Sequence, residues 1–365
     1  MTDQILDSGS LQGFSEYPLL EHRDDYAAAR AYLVQHSAKI PGLLGLYEYG
    51  SVGAPGISDI DLIAVISSEI DPKEALSFLN GTDAPVYVKR VLDKGSIKPV
   101  SLTQFQRINI LGAISTRPIY APDPIVPTMP SPAAESFIDI ANVFDWLPER
   151  VLMLRSLLNL SAIPARRVLG GLGSFKHSVS TSNVVIGQDS PESREFIDSY
   201  NELRDHWFTR SEAENFELTV GLILSGIKLG ESLLFQVTDQ LVEKAILRPC
   251  EEISGSTFWL NSTKAFVFDD GQAQSSNGAD AIKCSVPTAW IRIPQAYAKC
   301  DGTVSKLISH NLQITGGDVS FEIHREFDDI LSHRIEWIND SFAFLQPLGL
   351  EGLMYRFSHL RPASN

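Results

Sequence analysis

"YEYGSVGAPGISDIDLIAVI", Tyr47 to Ile66, decides how this chain is read. Two apolar runs flank a short glycine-bearing loop; the first ends on Gly50-Ser51 and the second opens with Asp59-Ile60-Asp61. Side chains alternate along a strand, so Asp59 and Asp61 point one way while Ile60 and Leu62 enter the opposite face. Two carboxylates that close repel each other and are costly to bury unpartnered, so the pair asks for a cation. Magnesium fits, because it takes oxygen ligands, keeps several waters, and binds through one or two carboxylates together with substrate phosphates. The pair therefore points to a nucleotide as well as to a metal.

Gly50 and Ser51 supply the other half of such a site. A glycine at a strand end lets backbone approach a ligand closely, and a serine hydroxyl beside exposed amides can hold phosphate oxygens. Gly53 and Gly56 let the loop fold back towards the second strand. Phosphates at one end and metal at the other define a place where an α-phosphate is attacked in line.

Outward from this core, Asp24 to Ile40 is alanine-rich with apolar residues at helical spacing, and Pro41-Gly42 stops it. "LLGLYEYG" and "DIDLIAVI" read as strands, and Asp71-Pro72 opens a helix closed by Asn80-Gly81. "VYVKRVL" and "IKPVSL" flank "DKGS", Asp93 to Ser96, and read as a hairpin with Gly95 at positive φ. Six prolines from Arg117 to Pro132 set a boundary near residue 130. Helices follow over Ala134 to Leu160, Ala165 to Val179 and about Glu192 to Phe208. In a long segment from Glu212 to Leu247, Gly221, Gly226 and Gly230 allow close packing or a break. "STFWLNSTKAFVF" and "AWIRI" give β character to residues 250–294. From Asp318 a core-facing helix carries Ile323, Phe327, Ile330, Ile338, Phe342 and Leu345 on one stripe.

At Tyr49-Gly50-Ser51 and Ser58-Asp59-Ile60-Asp61-Leu62 the sequence resembles the nucleotidyltransferase superfamily of DNA polymerase beta, poly(A) polymerases, tRNA CCA-adding enzymes and aminoglycoside nucleotidyltransferases. "RPIYAPD", Arg117 to Asp123, is like the segment that closes the catalytic domain in small members. The resemblance covers the first third of the chain. It implies an α+β fold with a small mixed-sheet nucleotidyltransferase domain, here residues 1–130, followed by a mainly helical domain; residues 131–365 read as that second domain, with the β-containing segment at about 250–294 given by the residues themselves. It implies one or two magnesium ions on Asp59 and Asp61, an NTP as co-substrate held by Gly50 and Ser51, and transfer of a nucleoside monophosphate to a hydroxyl with release of pyrophosphate. The family also has a basic residue in the helical domain that contacts the triphosphate. Among Arg166, Arg167 and Lys176, Lys176 is assigned that place.

Two departures stand out. The seven-residue spacer between Ser51 and Asp59 is short for the family. The family's third carboxylate, a metal ligand or general base, is expected near Val100 or Ser101, where this chain has no acid; Asp93 is the nearest candidate for that catalytic role.

The 45 acidic residues against 30 basic give a formal charge of −15, which opposes attraction to nucleic acid and to anionic membranes. A small-molecule acceptor is thereby favoured, with a protein acceptor left open. A nucleotidyltransferase-fold binding or regulatory protein without turnover is the alternative, and RNA-directed terminal transfer the third reading. Cys250, Cys284 and Cys300 are widely spaced and read as buried thiols; the amino terminus lacks a leader pattern and no stretch reaches membrane-spanning length, so the expected compartment is the cytoplasm.

Overall fold

The computed structural model describes residues 13–79, 84–92, 97–112, 115–158, 161–249 and 325–350, with strand residues 256–260, 282–286, 312–315 and 321–323. The fold is α+β. A short strand β1 (Phe14–Ser15) leads into α1 (Arg23–Ser37), then β2 (Leu43–Tyr49) and β3 (Asp61–Ile66). Next come α2 (Pro72–Leu79), α3 (Val86–Val91), β4 (Ile97–Ser101), α4 (Leu102–Gln106) and β5 (Thr116–Tyr120). The four longer strands form one mixed sheet in the order β4-β3-β2-β5. β2 runs antiparallel to β3 and β5, while β4 runs parallel to β3.

That parallel strand corrects the expected hairpin. "VYVKRVL" is rich in β-branched residues, which favours a strand locally. Yet Val88 and Val91 lie three apart and are buried at 1% and 0% exposure, and Pro85 precedes the first turn, so the segment folds as the helix α3. A parallel neighbour cannot be reached by a tight turn; α2 and α3 carry the chain back across the sheet before β4 begins. Residues 93–96, and with them Asp93, lie outside the described residues.

One sheet face, with Leu46, Leu62, Ala64 and Ile66, packs under Tyr26, Ala29 and Leu33 of α1 and under α2 and α3. The other, with Tyr47, Ile63, Val65 and Val100, belongs to a second core shared with the later helices. Those are α5 (Pro132–Leu157), α6 (Ala165–Ile186) after the short strand β6 (Ile163–Pro164), α7 (Pro191–Asp205) and α8 (Glu212–Glu243). β1 pairs with β6, which ties the amino-terminal segment to the start of α6. The glycines of α8 do not break it. A Cβ on Gly230 would stand 2.4 Å from Val151 Cγ2, and one on Gly226 would stand 3.0 Å from Leu154 Cδ1, so α8 seats directly on α5. Within α8, Glu212–Leu241 is long and apolar enough to cross a bilayer, contrary to the sequence expectation, but half of its apolar window is buried inside the fold.

Later, β7 (Leu247–Pro249) pairs with β11 (Phe321–Ile323), and β8 (Ser256–Leu260) lies between β9 (Ile282–Val286) and β10 (Leu312–Thr315). The last helix, α9, spans Arg325–Leu345, so Ile323 belongs to a strand and not to the helical stripe. Trp207 and Trp337 are fully buried core residues, while "AWIRI", Cys250 and Cys300 lie outside the described residues.

Candidate functional site

Antiparallel pairing sets Tyr49 opposite Asp61 at the end of β2. Gly50 follows with φ +72°, a left-handed turn with open space around it, and Ser51 is exposed. Both halves of the sequence motif therefore emerge at one end of the sheet. Ile60 is buried at 1% exposure in the α1-side core, whereas Asp59 and Asp61 are half-buried; the Tyr49 hydroxyl donates to Asp61 Oδ1 at 3.5 Å. The Ile60 amide donates to the Val91 carbonyl at 2.9 Å, which pins the aspartate pair to the end of α3.

The loop between them is held by α1. The buried Tyr26 hydroxyl donates to the Ser58 carbonyl at 2.6 Å and accepts the Gly56 amide at 2.9 Å. Ser58 Oγ accepts the Ala54 amide, and the Ser58 amide donates to the Ala54 carbonyl. Burial pushes the Tyr26 phenol up, the Gly56 amide and Arg166 pull it down, and Glu21 and Asp59 add to the rise. Tyr26→Phe removes both bonds and leaves a buried carbonyl and amide without that partner. It should lower unfolding free energy by about 1–3 kcal/mol in urea titration; a change under about 0.3 kcal/mol would show that the loop is held by other contacts.

The third carboxylate has no place where the hairpin put it. Val100 and Ser101 pair with Val65 and Ile66, at the opposite end of β3 from Asp61. The end of β4 level with the aspartates is its beginning, and there Lys98 lies opposite Ile63. Ile63 and Asp61 share a face, so Lys98 joins them on it. It is 3% exposed and its Nζ is buried. None of Asp59, Asp61 and Lys98 is without an interaction partner. Strand alternation within "SIKPV" could have exposed Lys98, had the parallel direction been legible.

Lys176 lies on α6, on the side that meets α7. Its Nζ donates to Asn201 Oδ1 at 3.2 Å and lies 5.4 Å from the Tyr200 ring centroid. Burial and the neighbouring Arg204 pull its pKa down. Arg204, on α7, is a cation that meets the loop at Gly53: a Cβ there would stand 3.2 Å from both terminal guanidinium nitrogens. Tyr200 is flanked by both charges, since the Arg204 guanidinium carbon is 5.8 Å from its ring centroid. The sequence reading missed Arg204, whose only signal was its place four residues after Tyr200 on an expected helix.

On the α1 side of the same sheet end, a cavity of 410 Å³ is lined by Arg23, Arg30, Glu48, Gly50, Ser51 and Arg117, among others. Glu48, 5% exposed, accepts from Arg30 at 2.7 and 2.8 Å and from Arg117 at 2.6 Å. Burial pushes the Glu48 carboxyl up, but the two guanidinium groups outweigh it and hold the carboxyl below the usual range. A depressed carboxylate contributes stability that is present above the unfolded-state pKa, about 4.3, and is lost as pH falls through the folded value. Thermal unfolding from pH 7 to pH 3 should therefore show a steeper loss below pH 4 in the native chain than in Glu48→Gln. Equal slopes would mean that the pair contributes nothing to acid sensitivity.

Asp59 and Asp61, two residues apart and both partly open to solvent, offer carboxylate oxygens of the kind a hard divalent cation takes. Among the described residues no three acidic, histidine or cysteine side chains gather into a metal cage; magnesium held by two carboxylates and substrate phosphates needs none. Comparison of the chain with protein-family models, curated proteins and solved structures finds no match.

Proposed function

We propose that this chain is a nucleotidyltransferase that binds a nucleoside triphosphate with magnesium at Asp59 and Asp61. It passes the nucleotidyl group to a hydroxyl of a small-molecule acceptor. The observation that carries this reading is the Tyr49–Asp61 pairing, which brings Gly50-Ser51 and Asp59-x-Asp61 to one end of the sheet. When bound there, magnesium supplies charge neutralisation to the phosphate oxygens. The left-handed turn at Gly50 presents the exposed Ser51 to the phosphates, and Arg204 against Gly53 adds positive charge beside the loop.

An acceptor oxygen bonds to the α-phosphorus, the bond from that phosphorus to the α,β-bridging oxygen breaks, and pyrophosphate leaves with the electron pair. The acceptor proton passes to a carboxylate, for which Asp93 is the sequence candidate, or to water. The acidic balance of the chain supports a small acceptor over nucleic acid, and the cytoplasm is the proposed compartment.

A second reading is favoured by one observation: Lys98, and not an acid, stands beside the aspartates on β4. A chain of that kind binds nucleotide without turning it over. Calorimetric titration with each of the four common triphosphates, with and without magnesium, tests the shared premise. Metal-dependent binding of at least one supports it, and absence of binding to all four sinks it. Release of pyrophosphate from the bound triphosphate, on adding pools of hydroxylated metabolites, then separates transferase from binding protein.

A further inference from the structure

We infer that the Lys98 ammonium is a built-in cation of the Asp59–Asp61 site, so that this site holds a single divalent ion with Lys98 in place of a second. The inference rests on the nucleotide-site reading above and goes further, to the number of metals the site takes.

Three observations converge. Parallel register sets Lys98 opposite Ile63, one diagonal step from Asp61 on the same sheet face. Its Nζ is buried, and a buried ammonium is costly unless negative charge lies near it. The ladder brings Asp61 to that end of the face, with Asp59 two residues before it and just ahead of β3, while the neighbouring acid of β2, Glu48, points to the other face, where it holds Arg30 and Arg117. Lys98 is thus placed to neutralise part of the charge that would otherwise draw a second ion, and it adds no oxygen with which to ligate one. Its role is to position charge.

The test uses Mn²⁺ as the probe, with a non-hydrolysable triphosphate, on the native chain, Lys98→Met and Lys98→Asp. Metal stoichiometry is read by electron paramagnetic resonance, and unfolding temperature is followed with and without Mn²⁺. The native complex should bind one Mn²⁺ beyond what free nucleotide takes up. Lys98→Met should bind Mn²⁺ about tenfold more tightly at unchanged stoichiometry and gain more thermal stability from Mn²⁺ than the native chain does, because the metal then supplies the missing charge. Lys98→Asp should admit a second Mn²⁺. If Lys98→Asp fails to fold, the native stoichiometry and Lys98→Met decide alone. Two ions on the native complex, or unchanged affinity in Lys98→Met, would overturn the inference while leaving the nucleotide site standing. No protein-dependent Mn²⁺ in any variant would remove the site reading itself and this inference with it.

Discussion

Asp59→Asn should weaken magnesium-dependent triphosphate binding about a hundredfold while leaving the unfolding temperature within about 2 °C of native. Asp59 precedes β3, is half-buried, and makes no ladder contribution, so its loss removes a metal ligand at little structural cost. Asp61→Asn should show the same loss of binding and, in addition, a fall in stability of about 1–3 kcal/mol. Asp61 opens β3 opposite Tyr49, and its charge lies on the face that buries Lys98. Isothermal calorimetry and urea unfolding on the two variants separate the effects. Equal stability of both would argue against charge balance across that face, and unchanged binding in both would remove the metal site.

Gly56→Ala should destabilise the chain by about 3 kcal/mol or more, the largest loss we expect from a single methyl group. Gly56 has φ +85°, and a Cβ there would stand 2.2 Å from the Leu19 backbone carbonyl oxygen and 3.0 Å from Phe208 Cζ. A left-handed alanine costs about 1–2 kcal/mol alone, and the clash is with backbone that cannot swing away. Gly50→Ala is the control. It shares the left-handed conformation, with φ +72°, but has nothing within 4 Å of its added carbon. The control should lose only the conformational cost, about 1–2 kcal/mol. Equal losses in chemical denaturation would mean that the loop shifts freely off segment 19–21.

The order helix, strand, Gly-Ser, loop, strand with Asp-x-Asp was legible because period and punctuation agreed: α1, β2 and β3 fall where spacing and Gly/Pro stops put them. The "VYVKRVL" segment was not legible, since β-branched residues spoke for a strand while burial of Val88 and Val91 made a helix. With a helix there, β4 runs parallel to β3, so Lys98 near its beginning, and not Val100 or Ser101, lies towards the aspartates. Arg204 and the Glu48 pairs were illegible for another reason. Each joins segments far apart in the chain, such as Arg117 and Glu48, and no local pattern announces such a contact.

The decisive experiment is a crystal structure of the native chain with magnesium and a non-hydrolysable triphosphate. A single ion should lie between the carboxylates of Asp59 and Asp61, with the phosphates against Gly50 and Ser51. Nucleotide seated instead in the Arg30–Glu48–Arg117 cavity with no metal at the aspartates, or no bound nucleotide at saturating concentration, would contradict it.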